Sequence, residues 1–205
     1  MKKLLFTAAI AVLGFTSVNA QDEMTTVGGF EEGDVFVSGT VGFGSTSVAD
    51  VDASSFSFSP SVGYFISDNI ALELGLTVGS NKGYDFDGDL DFSEDKSSSF
   101  GANLGANYFF TPDSQFSFTV GAAFAYQSDK FSPDGGEDAS INTFGLAVSP
   151  GISYFVSDNF SLRASFGALS YDNAKGDWDD AEAVDTFGLN LDLSDIKFGV
   201  AYKFN

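Results

Sequence analysis

Large and small side chains alternate along this chain with a period of two. In Phe56-Ser57-Phe58-Ser59-Pro60-Ser61-Val62-Gly63-Tyr64 every second position is bulky or proline and the rest are Ser or Gly. The pattern returns at Ile70, Leu72, Leu74, Leu76 and Val78, at Phe100 to Tyr108, and at Phe116 to Tyr126. It continues at Phe144 to Tyr154 and at Phe160, Leu162, Ala164 and Phe166. Val35, Val37, Val41 and Phe43 open the series, and Ile196, Phe198, Val200, Tyr202 and Phe204 close it. Period-2 runs of this length predict eight β-strands, and no comparable stretch has a helical period.

The strands are joined in two ways. Tyr64-Phe65-Ile66-Ser67-Asp68-Asn69-Ile70 and Tyr154-Phe155-Val156-Ser157-Asp158-Asn159-Phe160 are near-copies 90 positions apart, and Tyr108 to Phe116 is a third version. These minimal turns repeat one hairpin unit. The alternate connections, at about 44–54, 80–97, 128–140 and 172–185, are long, polar and acidic and are expected to be loops. Short turns at one end and long connections at the other are the layout of an up-and-down transmembrane barrel. One phase slip interrupts it: Phe187, Leu189, Leu191 and Leu193 are odd, whereas Ile196 to Phe204 are even. A β-bulge at Ser194-Asp195 in one long final strand explains the slip, and a turn giving ten strands is the alternative.

Composition decides which face of the strands is outside. A soluble barrel puts its bulky face inward and a charged face outward. Here the small face is Ser, Gly, Ala, Thr and Asn, with charge nearly confined to Glu73, Arg163, Lys197 and Lys203. That face suits a narrow lumen, and the bulky face suits lipid. Aromatic residues gather at both strand ends, with Phe43, Phe56, Phe100, Tyr126 and Phe144 at one rim and Tyr64, Tyr108, Phe116, Tyr154 and Phe160 at the other. Interfacial girdles have that arrangement.

Residues 1–20 read as a secretory signal peptide, with Met1-Lys2-Lys3 basic, Leu4 to Phe15 apolar and Val18-Asn19-Ala20 a small-residue cleavage site. Residues 21–205 form a single barrel domain, and with no Cys in the chain no lipid anchor on a cysteine is expected. The formal charge is −20, and losing Lys2 and Lys3 with the leader makes it −22, which repels nucleic acid. The chain has no His and no Cys, so the usual general base, thiol nucleophile and most zinc or haem ligands are missing. No enzyme activity, metal or cofactor is expected.

Lys197-Phe198-Gly199-Val200-Ala201-Tyr202-Lys203-Phe204 resembles the C-terminal strand signal of outer-membrane barrels, with Lys197, Gly199, Tyr202 and Phe204 at its marked positions. Asn205 departs from it, since such chains usually end on the aromatic residue. With the leader and the eight runs, the chain resembles the OmpA/OmpX-like small outer-membrane barrels of the porin family. The resemblance implies an all-β, eight-stranded antiparallel barrel in the outer membrane, with long loops outside and both termini in the periplasm. It also implies delivery by the barrel assembly machinery into lipid and lipopolysaccharide as a monomer, with loops able to hold an extracellular ligand. That fold hosts pores, adhesins, enzymes and inert anchors, so it does not choose an activity. A non-catalytic envelope or surface-interaction protein with an occluded lumen is the favoured reading, and a narrow porin is its rival.

Three groups of residues are candidate sites. Glu73 and Arg163 occupy equivalent repeat positions on opposed strands, both facing inward, and are expected to pair across the lumen. The alternatives are solvation of each charge, or pairing with Lys197. OmpA-like barrels resemble this in carrying lumenal ion pairs. Phe65, Phe109 and Phe155 precede the three turns and point inward by parity, as an apolar plug at the periplasmic mouth. If each turn begins one residue early, the rings join the girdle instead. Asp85 to Phe92 has spaced carboxylates but Lys96 where an EF-hand needs Glu, so it reads as a projecting hairpin. Asp177-Trp178-Asp179-Asp180, with the chain's single Trp, reads as a loop tip or a ligand contact. The terminal signal makes a prediction: Tyr202→Ala or Phe204→Ala reduces the inserted fraction far more than Asn205→Ala, measured by outer-membrane fractionation.

Overall fold

The computed structural model describes residues 28–48, 51–86, 92–132, 137–190 and 196–204. The signal-peptide reading, the Asp87-Gly88-Asp89 tip and the Ser194-Asp195 slip lie outside the described residues. Among the described residues there are ten strands: β1 (Val35–Val48), β2 (Val51–Phe65), β3 (Ile70–Phe86), β4 (Phe92–Phe109), β5 (Phe116–Ser132), β6 (Ala139–Phe155), β7 (Phe160–Phe166), β8 (Ala168–Gly176), β9 (Val184–Asn190) and β10 (Ile196–Phe204). Every pairing is antiparallel, and the ring closes through eight of them, β1-β2-β3-β4-β5-β6-β7-β10 and back to β1.

β8 and β9 carry the seventh and eighth walls upward. β7 pairs with the turn end of β6 (Gly151↔Ser165 to Phe155↔Ser161), and β8 pairs with the rest of it (Ile141↔Gly176 to Val148↔Leu169). Between them stands Gly167 at φ 65°, a left-handed residue that inserts one extra position and shifts the alternation phase. The alternation ends at Phe166, and a loop is expected at about 172–185. The ladder instead runs on to Gly176.

Two other long connections also differ from the expected loops, while the third agrees with the projecting hairpin expected at Asp85 to Phe92. β1 and β2 stay paired to Val48↔Val51, β3 and β4 to Phe86↔Phe92, and β5 and β6 to Phe131↔Ala139. The physical reason is that a two-stranded ladder satisfies its own backbone and asks nothing of side-chain polarity. β3 has 17 residues. At about 3.3 Å per residue that is roughly twice an apolar band of about 25 Å, so the acidic hairpins project beyond the bilayer.

The packing is inverted relative to a soluble protein. Phe43, Leu74, Leu104, Phe118, Leu146 and Phe198 are exposed on the outer wall, while the buried apolar residues among those described are Phe30, Phe36, Phe65, Ala71, Phe109, Phe155 and Ala201. Those seven lie together at the short-turn end. Outside them runs a girdle in which Tyr108 meets Phe110, Phe116 meets Phe118, and Tyr202 bridges Phe160 and Phe204, each about 5 Å between ring centroids and edge-on.

Gly63 leaves the space that Phe36 fills, because a Cβ there would run into the Phe36 ring. Gly63→Ala therefore costs about 1–3 kcal/mol in urea unfolding from lipid vesicles. Gly188→Ala, whose Cβ would meet only Ser170 Oγ at 3.9 Å, leaves stability unchanged.

Candidate functional site

The floor of the barrel is built by a repeated clasp. Asn69 accepts the Phe109 N–H on its carbonyl (2.8 Å) and donates its side-chain amide to the Phe109 carbonyl (2.7 Å). Gln115 treats Phe155 the same way (2.8 and 3.0 Å), and Asn159 treats Lys203 so (2.8 and 2.9 Å). Each turn thus holds the last inward residue of the next strand at one height. At the fourth corner the Phe65 N–H donates to the Asp34 carbonyl and the Gly33 N–H to the Phe65 carbonyl, both 2.9 Å.

Phe65, Phe109 and Phe155 consequently point into the interior, at most 2% exposed. Phe36 of β1 joins them, and the segment entering β1 supplies Phe30 at the centre. Phe30 stacks on Phe65 (4.6 Å) and meets Phe36, Phe109 and Phe155 at 5.3, 5.4 and 4.8 Å. Besides the Gly33 and Asp34 bonds to Phe65, that segment is held by Phe30 N–H donating to the Pro112 carbonyl (2.7 Å), by Lys203 Nζ donating to the Gly29 carbonyl (2.8 Å), and by an ion pair of Lys203 Nζ with Asp34 (3.5 Å). Gly28 has to be glycine, because its φ is 71° and a Cβ would strike the Phe155 ring.

Above the rings, Arg163 Nη1 donates to Glu73 Oε2 at 2.9 Å. Glu73 stands across from Gly63 and Gly105, and Arg163 from Gly199 and Ser153, so both long side chains have room to reach over the lumen. Ser38 (2.9 Å) and Ser61 (2.6 Å) donate to Glu73 Oε1, and Asn107 (3.1 Å) to Oε2. The Arg163 guanidinium lies 5.4 Å from the Phe36 centroid and 5.8 Å from that of Phe109. It is a cation–π contact with the floor beneath. Lys197 stays apart from this pair.

Phe30, Phe36 and Asp34 were not singled out from the sequence, and Lys203 was placed on the inward face without its contacts to Gly29 and Asp34. Phe36 and Lys203 obey the same alternation that placed Phe65 inward, so parity was a sufficient signal for them. Phe30 precedes the first alternating run, and no pattern pointed to it. The terminal-signal residues lie on β10, where Tyr202 and Phe204 pair with Val37 and Val35 and face outward, while Gly199 abuts Thr40 and Gly39. Trp178 is half exposed, its ring lying over Gly176 at the β8–β9 turn.

The chain matches the family model of the outer membrane protein beta-barrel domain over residues 8–204. A comparison with curated proteins finds no match. Among solved structures it is similar to the outer membrane protein OprG from Pseudomonas aeruginosa, at 15% identity over 86% of this chain and 98% of that one, with a TM-score of 0.55. It is also similar to Neisserial surface protein A, at 24% identity over 83% and 97%, with a TM-score of 0.48. The likeness to OprG extends to the fold alone. With a closed antiparallel ring, a lipid-facing apolar wall and a family match over nearly its whole length, this chain belongs to the outer membrane protein beta-barrel domain family and is a protein of the outer membrane.

Proposed function

We propose that this protein is a non-catalytic outer-membrane barrel closed at its periplasmic mouth, acting in envelope structure or surface interaction through its acidic hairpins. The observation that carries this reading is the two-layer floor: five phenylalanine rings packed edge and face, roofed by the Arg163–Glu73 pair. An ion crossing that floor would have to part buried rings and lose water without replacement, which is a large barrier. In this orientation the short turns and both termini face the periplasm and the long hairpins face outward. Lipid and lipopolysaccharide surround a monomeric barrel, inserted by the barrel assembly machinery through β10. The hairpins, rich in Asp, repel polyanions and suit a cationic or cation-bridged extracellular ligand.

Single-channel recording in planar bilayers tests the reading, with no steady ion conductance expected from the native protein. Glu73→Ala and Arg163→Ala each leave one charge confined in the lumen, at a cost of about 3 kcal/mol, in urea unfolding from vesicles. The double variant costs less than the sum of the two. Steady conductance of the native barrel would instead support a narrow porin.

Phe30→Ala removes the ring that touches all the others, and large-to-small changes of this kind cost about 3–5 kcal/mol. It is expected to raise conductance more than either charge variant, because it opens the floor itself.

A further inference from the structure

We propose that the segment from Gly28 to Asp34 is a brace latched by the final strand, so that the seal of the mouth and the β1–β10 seam stabilise each other through Lys203. The segment is a tight loop that carries Phe30 inward. Its backbone turns at Gly28, Gly29 and Gly33, with φ of 71°, 148° and 93°. Asp34 closes it by donating its N–H to the Glu31 carbonyl (3.1 Å) and accepting the Glu31 N–H on Oδ2 (2.9 Å).

Lys203 spans the base of that loop. Its Nζ donates to the Gly29 carbonyl at one end (2.8 Å) and pairs with Asp34 at the other (3.5 Å), 6.0 Å from the centroid of Phe155. The side chains of this ion pair are 16% and 20% exposed. Solvent therefore screens them less than it screens a surface pair. The lysine backbone is fixed as well, its N–H donating to the Asn159 carbonyl (2.8 Å) and its carbonyl accepting the Asn159 amide (2.9 Å).

The loop straddles the seam. Lys203 stands opposite Phe36 in the β1–β10 ladder, and Phe36 packs on Phe30. The loop thus holds β10 by its lysine and β1 by its phenylalanine. Across the mouth, the Phe30 N–H reaches the Pro112 carbonyl in the β4–β5 turn, and the Gly33 N–H reaches the Phe65 carbonyl of β2. Parting β1 from β10 withdraws Lys203 from the loop, and losing the loop removes contacts from both sides of the seam. Such a linkage acts equally in both directions.

Charge explains why the latch is a lysine. Among the described residues at this mouth Lys203 is the cation, whereas Glu31, Glu32, Asp34, Asp68, Asp113 and Asp158 are acids. Without it, Asp34 would face carboxylates alone. Lys203 is not among the marked positions of the terminal signal, so this role is separate from delivery. The inference rests on the docked floor described above, and it is read in rates rather than in the current that tests the closed mouth.

The chain has no Cys, so one introduced thiol reports on the loop. Ala71 is fully buried in the cluster around Phe30. The test measures labelling of Ala71→Cys by a water-soluble maleimide in barrels refolded into lipid nanodiscs. In that background Lys203→Met is expected to speed labelling at least tenfold, and Lys203→Arg to restore the slow rate. Asp34→Asn breaks the same pair without touching β10 and is expected to speed labelling too. Tyr202→Ala tests the coupling, because it loosens the seam from its lipid side. It is expected to speed labelling at least threefold, while Leu104→Ala on the outer face of β4 leaves the rate unchanged. Adding Tyr202→Ala to Lys203→Met is expected to give less than the product of the two effects. In the other direction, Phe30→Ala is expected to speed amide exchange along β1 and β10 at least tenfold relative to β3 and β4. Unchanged labelling in both Lys203→Met and Asp34→Asn, or equal rates in Tyr202→Ala and Leu104→Ala, would overturn the proposal.

Discussion

Closure of the sheet is the constraint on which everything else in this molecule depends. A chain crossing lipid has no solvent to receive its backbone donors and acceptors, so its strands have to supply partners to one another around a full circle. The last link is the five-residue ladder between β1 and β10. It joins residues near opposite ends of the sequence, Val35 with Phe204 and Gly39 with Val200. The outward Tyr202 and Phe204 sit on that link, where β10 meets β1 on one side and β7 on the other.

Once the ring is closed, its two faces have opposite needs. The outer wall has to be apolar and broad, which Leu, Val and Phe provide. The inner wall of an eight-stranded barrel has little space, so it takes Ser, Gly, Ala and Asn and admits large groups only where neighbours are small. Phe36 fits because Gly63 lacks a Cβ, and Glu73 and Arg163 meet because Gly63, Gly105 and Gly199 stand beside them. The floor is therefore a consequence of glycine placement as much as of aromatic content. Its height comes from Asn69, Gln115 and Asn159, whose paired bonds set three strand ends level.

The break in the wall opposite β6 belongs to the same physics. Gly167, with its left-handed backbone, adds one position between the Gly151↔Ser165 and Val148↔Leu169 pairs, so that wall passes from β7 to β8 with a change of phase. Small residues such as Gly75, Gly121 and Ser149 line the lumen above the floor and leave it hollow.

The sequence by itself determined the strand period, the minimal turns, the inverted faces and the inward aim of Glu73 and Arg163, and it offered Phe65, Phe109 and Phe155 either an inward or a girdle position. Each of these is a matter of parity along one strand, and parity is a local property of an extended chain. Whether Glu73 meets Arg163 or Lys197, and whether Phe30 enters the floor, depends on which strands become neighbours and at what stagger. Those are relations between residues as far apart as Gly29 and Lys203, and only the closed structure decided them. Polar alternation in the long connections misled for a related reason. A ladder beyond the membrane needs no apolar face, so β8 and the tips of β1, β2, β5 and β6 left little hydrophobic signature even though they are paired, whereas the aromatic alternation at Asp85 to Phe92 did announce the β3–β4 hairpin.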